Sequence, residues 1–296
     1  MLADSFIPLS LSTACLYPLS LRRIIALAAQ TGYQGIELEA GGSANLAGGR
    51  RVQQWALSAG VRVLSVHQAL MDPRGRRDPG ILVTGAVDLA LETGAPVVVL
   101  HSPWETNWDS AGARAWLAAL DHAQRRAARA DLCITVENMG EHPGMPGRLV
   151  LGEFSELLRF AQERDLQITY DTCHAGTLNA DLVADLAALG DRLANVHLSD
   201  HKPESRFRAT KVLDLVFSNH QMPGEGALAL RPFLRALTAT PYQRAITFEV
   251  SPTALGSLLP KRRAARLGQA RNYVTQAFSE PTVTATRVAA VAAPAE

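Results

Sequence analysis

The run LCITVENMG, residues 132–140, is a short apolar stretch that ends on an acid, Glu137. The same construction recurs in LQITYD (166–171), which ends on Asp171, in LANVHLS (193–199), which carries His197, and in RAITFEV (244–250), which carries Glu249. Runs this short, apolar and rich in branched residues read as strands buried on both faces. An ionisable side chain at the end of such a strand is costly unless something compensates it. Strands that all end this way fit a closed parallel barrel, in which the C-terminal strand ends converge on one mouth.

Working outward, four earlier runs complete the series: IPLSLST (7–13), GIELE (35–39), VRVLSVH (61–67) and PVVVLH (96–101). Segments of helical period alternate with the strands at about 20–31, 47–59, 79–93, 110–130, 152–164, 180–188, 228–237 and 256–275. Gly32, Gly60, Gly94 and Gly190 stand where helices should stop before the next strand. The expectation is an α/β fold, a single (β/α)8 TIM barrel over residues 1–276, with an Ala/Thr/Pro-rich flexible tail at 277–296. An open doubly wound sheet also accommodates eight strands. It would gather its ligand site at one switch point and carry GxGxxG after the first strand, which this chain lacks.

The chain has 296 residues, enough for one barrel of roughly 250 residues and a tail. Hydrophobic residues make up 47% of it, which argues against a disordered or fibrous class. Lys and Arg number 29 against 28 Asp and Glu, a net charge of +1, so composition gives no general electrostatic reason to expect nucleic acid. Cys15, Cys133 and Cys173 form no CxxC pair and read as thiols of a reducing compartment. Neither a signal-peptide pattern nor an apolar stretch of about 20 residues is evident, so the expectation is a cytoplasmic protein without membrane contact.

Besides the four strand-end residues, His67 ends the third strand and His101 the fourth, His174 follows Asp171 by three, and His220 lies in the loop before the last unit. A shared divalent cation is the economical way to compensate such a set. Taken singly, His67 and His101 also fit core histidines bonded to backbone. His122 and His142 read as solvated surface residues, and His201 as a rim residue. Trp104 and Trp108 in HSPWETNW suit either stacking on a sugar face or covering the barrel rim. Arg74, Arg76 and Arg77 read as a solvated basic loop before a phosphate contact, and the GEG at 224–226 as a tight turn whose amides could approach a ligand.

At VENMG, YDTCHAG, NVHLSD, HQMPGEG and TFEV the chain resembles the xylose-isomerase-like superfamily, which holds sugar isomerases and epimerases and the type IV apurinic/apyrimidinic endonucleases. The likeness runs from about Leu9 to about Tyr273. The epimerase branch implies one metal held by Glu137, Asp171, His197 and Glu249, with Glu137 and Glu249 also moving a proton next to a carbonyl and His174 touching substrate. The endonuclease branch implies further zinc ions on His67 and His101, and on His174 and His220. Its aspartate two positions before that last histidine is Ser218 here, which puts a three-metal centre in doubt.

The leading expectation is therefore a metal-dependent isomerase or epimerase of a small sugar or related polyol in carbohydrate metabolism, with Trp104 and Trp108 as further substrate contacts. Mn, Zn, Mg or Co would serve at one to three sites, and the resemblance implies a homodimer. The alternatives are a zinc-dependent phosphodiesterase of the apurinic/apyrimidinic endonuclease type and a non-catalytic metal-binding barrel.

Overall fold

The second strand shows how one segment serves two layers. Ile36 and Leu38 are fully buried in the apolar layer between strands and helices, while Glu37, between them, points the other way. Its carboxylate Oε2 accepts hydrogen bonds from Ser65 Oγ at 2.7 Å on the neighbouring strand and from Asn195 Nδ2 at 3.2 Å. Asn195 lies five strands further on, so the second contact crosses the inside of a barrel.

In the computed structural model, which describes residues 7–70, 72–76, 78–141, 148–203 and 218–280, eight parallel strands close in sequence order. They are β1 (Leu9–Ser12), β2 (Gly35–Glu39), β3 (Arg62–His67), β4 (Val97–His101), β5 (Cys133–Glu137), β6 (Gln167–Asp171), β7 (Leu193–Leu198) and β8 (Ile246–Phe248). Closure is made by β1 on β8, with Ser10 beside Thr247. All eight expected strands are present.

The helices are α1 (Leu21–Gln30), α2 (Gly42–Ala47), α3 (Gly49–Ser58), α4 (Gly80–Thr93), α5 (Ala111–Ala127), α6 (Phe154–Glu163), α7 (Thr172–Thr177), α8 (Leu182–Leu189), α9 (Leu230–Thr238), α10 (Pro252–Leu255) and α11 (Pro260–Ser279). In α5, Ser110 Oγ accepts the Ala113 amide at 3.0 Å as an N-cap, and Ala113, Trp116, Leu120, Ala123 and Ala127 make the buried stripe. Gly32, Gly60, Gly94 and Gly190 all stand at positive φ. At Gly94 the backbone is left-handed, φ 70° and ψ 24°, a conformation that ends α4 at little cost only without a Cβ.

Three short helices, α2, α7 and α10, were not foreseen. The last long helix begins at Pro260 and runs to Ser279, rather than over 256–275: Gly256 closes α10 at φ 68°, and proline suits a first helical turn. Ala277 is fully buried, so the expected boundary at 276 falls inside a packed helix. The expected flexible tail otherwise lies outside the described residues. Cys15, Cys133 and Cys173 are all free, and no helix among the described residues is long and apolar enough to cross a membrane.

Candidate metal centre

Register brings the strand-end residues together in pairs. His101 on β4 stands beside Glu137 on β5, and Asp171 on β6 beside His197 on β7. Glu249 follows β8 by one residue, and its amide donates to the Leu198 carbonyl at 3.3 Å, which sets it next to the β7 pair. Glu137, Asp171 and His197 are wholly buried, whereas the Glu249 side chain keeps 13% of its surface and is the one of the four that reaches solvent.

One atom of each of these four residues, Glu137 Oε1, Asp171 Oδ2, His197 Nδ1 and Glu249 Oε2, is buried without a hydrogen-bond partner among the described residues. All four residues offer ligand atoms within 4.8 Å of one another. Glu249 Oε2 comes within 2.7 Å of His197 Nδ1, and Glu137 Oε1 within 3.3 Å, but off the hydrogen-bonding axis. Each orphaned buried atom costs on the order of 1–3 kcal/mol. Together they would consume about 4–12 kcal/mol, comparable with the roughly 5–15 kcal/mol that stabilises a whole domain. Three carboxylate oxygens and an imidazole nitrogen with nothing to accept from are the donor set of a divalent cation, and these residues fit one.

The second atoms of His197, Asp171 and Glu137 are engaged elsewhere, which fixes the ring and those carboxylates. His197 Nε2 donates to Glu37 Oε2 at 3.1 Å, the carboxylate–imidazole arrangement that leaves Nδ1 able to serve as a ligand atom. Asp171 Oδ1 accepts the His174 amide at 2.7 Å and so caps α7, while Oδ2 faces the cluster. The Asn138 side chain clamps the Asp171 backbone, accepting its N–H at 2.7 Å and donating to its carbonyl at 3.0 Å. Glu37 went unnoticed in the sequence. The signal was there, an acid flanked by Ile36 and Leu38, but it sits mid-strand rather than at a strand end.

The other expected histidines form two further groupings. His67 Nε2 and His101 Nε2 lie 3.2 and 3.3 Å from the second Glu137 oxygen, Oε2, and His67, Glu137 and His197 make a second ligand cluster. His67 is also backbone-bonded, its Nδ1 donating to the Gln68 carbonyl at 2.6 Å. Asp171, His174 and His220 make a third cluster. His174 Nδ1 donates to the Asn138 carbonyl at 2.9 Å, and His220 Nδ1 faces the Glu249 carbonyl at 3.1 Å. His220 holds a left-handed backbone at φ 48°, a strained state for a residue with a Cβ.

Several other expected positions lie apart from these clusters. Trp108 stacks on Phe160, ring centres 5.6 Å apart, beside Trp116, so its ring belongs to an aromatic packing cluster rather than to the metal residues. Trp104 stays half exposed at the lip of a cavity beyond β4. His122 is exposed, and His201 Nδ1 bonds the Asn219 side chain at 3.0 Å. His142, Arg77 and the side chain of Arg76 lie outside the described residues. The Arg74 guanidinium is held by Asp72 at 2.6 Å. Two amides of the GEG turn are taken within the protein: Asp200, 1% exposed, accepts the Gly224 amide at 2.9 Å, and the Glu225 amide donates to the Met222 carbonyl at 3.0 Å.

Electrostatics follow from this crowding. Burial opposes the charged form of His67, but the hydrogen bond and charge of Glu137 outweigh it and lift its pKa to about 9. His174 rises to about 10 against the same burial, through Asp171 and Glu137, and His197 rises well above the usual range through Glu37 and Glu249. Burial pushes Asp171 up and His101 down. Glu137 is held well below the carboxylate range because His197 and His101 overcome its burial. Without a cation, protons on the histidines do the compensating.

A pH dependence follows. A histidine whose pKa is raised on folding stabilises the fold fully below its unfolded value of about 6.5, and that contribution is lost as pH rises through the folded value. Metal-free protein should therefore lose thermal stability between pH 6.5 and 10 as His67 and His174 titrate. Metal-loaded protein should hold its melting temperature across that window, because the cation replaces the protons. Parallel melting curves with and without chelator check this; identical pH profiles would contradict it.

Comparison with known proteins places the chain. An uncharacterised protein of Mycobacterium leprae is 25% identical over 272 residues, covering 85% of this chain and 91% of its own. Among solved structures, the IOLI protein with a bound zinc atom superposes with a TM-score of 0.70 at 15% identity, over 93% of this chain and 100% of its own. D-Psicose 3-epimerase with D-tagatose from Clostridium cellulolyticum H10 gives 0.68 at 11% identity, over 92% and 99%. Identities this low establish a shared fold. The family model for xylose isomerase-like TIM barrels matches residues 25–272, and the chain belongs to that family.

Proposed function

We propose that the chain is a divalent-metal-dependent isomerase or epimerase of a small sugar or related polyol. The observation that carries this reading is the convergence of four otherwise unsatisfied ligand atoms at the barrel mouth, with one carboxylate, Glu249, reaching solvent. The likeness to an epimerase with a ketose bound and to a protein with a zinc atom supports it. A divalent cation held by Glu137, Asp171, His197 and Glu249 would polarise a substrate carbonyl and so acidify the carbon beside it. Glu249, open to the mouth, takes the proton from that carbon. Glu137 is the second carboxylate, its Oε1 turned to the cluster and its Oε2 held between His67 and His101. Protonated His67 can resupply a proton to Glu137, and Glu137 returns it to the opposite face of the carbon. His174 orients a substrate oxygen.

The test is exchange: metal-loaded protein should wash solvent deuterium into a ketose or aldose from a panel of common sugars. A second reading rests on the two further clusters around His67 and His220, which suit a zinc phosphodiesterase. Ser218, buried at 5% exposure, stands against it, since the resemblance calls for a carboxylate there. No exchange with any sugar, together with incision of abasic duplex DNA, would transfer the assignment to that reading. Neither activity in a metal-loaded sample would favour a non-catalytic barrel.

A further inference from the structure

The loops that follow β8 and β1 meet at one side of the barrel mouth, where Ser257 Oγ donates to the Tyr17 carbonyl at 3.2 Å. Three large apolar side chains stand out from this junction: Tyr17 at 74% exposure, Leu258 at 72% and Leu259 at 54%. The first turns of the helices that follow flank them with exposed cations, Arg22 and Arg23 on α1 and Lys261 and Arg262 on α11. Residues 13–24 and 250–263 together hold five Lys and Arg and no acid, in a chain whose net charge is only +1. Arg263 is turned back onto the Ser257 carbonyl at 2.9 Å, and the nearby acid Glu225 is taken by Arg266, at 2.8 Å to each oxygen. Arg22 lies over the Trp55 ring, but none of the four exposed cations forms an ion pair among the described residues.

Nearly bare apolar side chains set among unpaired cations define the chemistry of a partner. The apolar groups gain by leaving water, and the cations gain beside anionic groups. A second copy of the chain does not fit, since an isologous contact would press this positive surface against itself. A nucleic acid would reward the cations but not two protruding leucines, because its backbone is read by charge and its bases by stacking and hydrogen bonds. A bilayer with anionic headgroups rewards both: leucines enter the acyl boundary, a tyrosine suits the headgroup level, and the cations meet lipid phosphates. We infer that this sector of the mouth rim docks on an anionic lipid surface. The expectation of no membrane contact rested on the lack of a spanning stretch, which a peripheral contact does not need. No residue of the metal clusters takes part, so the inference stands apart from the sugar-enzyme reading.

The test needs no substrate. The full chain is sedimented with vesicles of phosphatidylcholine alone and of equal parts phosphatidylcholine and phosphatidylglycerol. It should bind the anionic vesicles about tenfold or more tightly than the neutral ones, and high salt should shrink that preference. Leu258→Ser with Leu259→Ser, which leaves the charge alone, should weaken binding to anionic vesicles about tenfold, and Lys261→Glu with Arg262→Glu should do the same. All four positions are exposed, so both variants should keep the wild-type melting temperature. No binding to anionic vesicles, equal binding to both kinds, or a loss confined to the charge-reversed variant would overturn the inference. So would duplex DNA binding that is tighter than vesicle binding and falls only with the charge reversal, the mark of a nucleic-acid face. Self-association abolished by the leucine substitutions would overturn it too, in favour of an interface between copies.

Discussion

Glu249→Gln is expected to lower solvent exchange into substrate by about 10²–10⁴-fold while the protein stays folded and still takes up metal. The amide keeps an oxygen that can face the cation, so the cluster loses a charge rather than a ligand position. What it cannot keep is a group that accepts a proton from carbon. Glu249 is the right place to look because it is the one of the four whose side chain keeps exposed surface, 13%, while Glu137, Asp171 and His197 are wholly buried. His197 holds the Glu249 carboxyl well below the usual range despite its burial, so it is ionised at any working pH. Metal analysis of the variant decides between causes. A variant with full metal content and exchange within tenfold of wild type would remove Glu249 from the proton transfer.

The same geometry explains what the sequence made legible. Strand ends could be read because an acid or imidazole closing an apolar run has few structural excuses, and Glu137, Asp171, His197 and Glu249 all close such runs. Their convergence then follows from barrel closure alone. The positive-φ glycines at 32, 60, 94 and 190 were equally plain, since each marks a helix that must stop. What could not be read was direction within a residue. Asp171 divides its two oxygens between capping α7 and facing the cluster, and Glu137 divides its own between the cluster and two histidines. Trp104 and Trp108 are four residues apart in one loop, yet one marks a cavity and the other packs on Phe160. The GEG turn invited a ligand, but its Gly224 amide is taken by Asp200, a partner more than twenty residues upstream, and its Glu225 amide by the Met222 carbonyl.

Glu37 is the position where reading by strand ends failed and where a substitution is expected to be most informative. Its Oε2 accepts from His197 Nε2, Ser65 Oγ and Asn195 Nδ2, so it fixes both the tautomer and the tilt of the His197 ring without reaching the cluster itself. Glu37→Gln should weaken metal binding about 10–100-fold, the range for loss of such a supporting carboxylate. Two effects of the lost charge oppose each other. A neutral partner makes His197 a poorer electron donor to the cation. It also lowers the His197 pKa, which Glu37 raises more than any other charge, so protons compete less for the ring. The second effect matters only where protons compete, and it fades as pH rises. The deficit against wild type should therefore be smallest near neutral pH and widen towards alkaline pH. A residue that merely propped up the strand would give a deficit independent of pH, and that result would return Glu37 to a structural role.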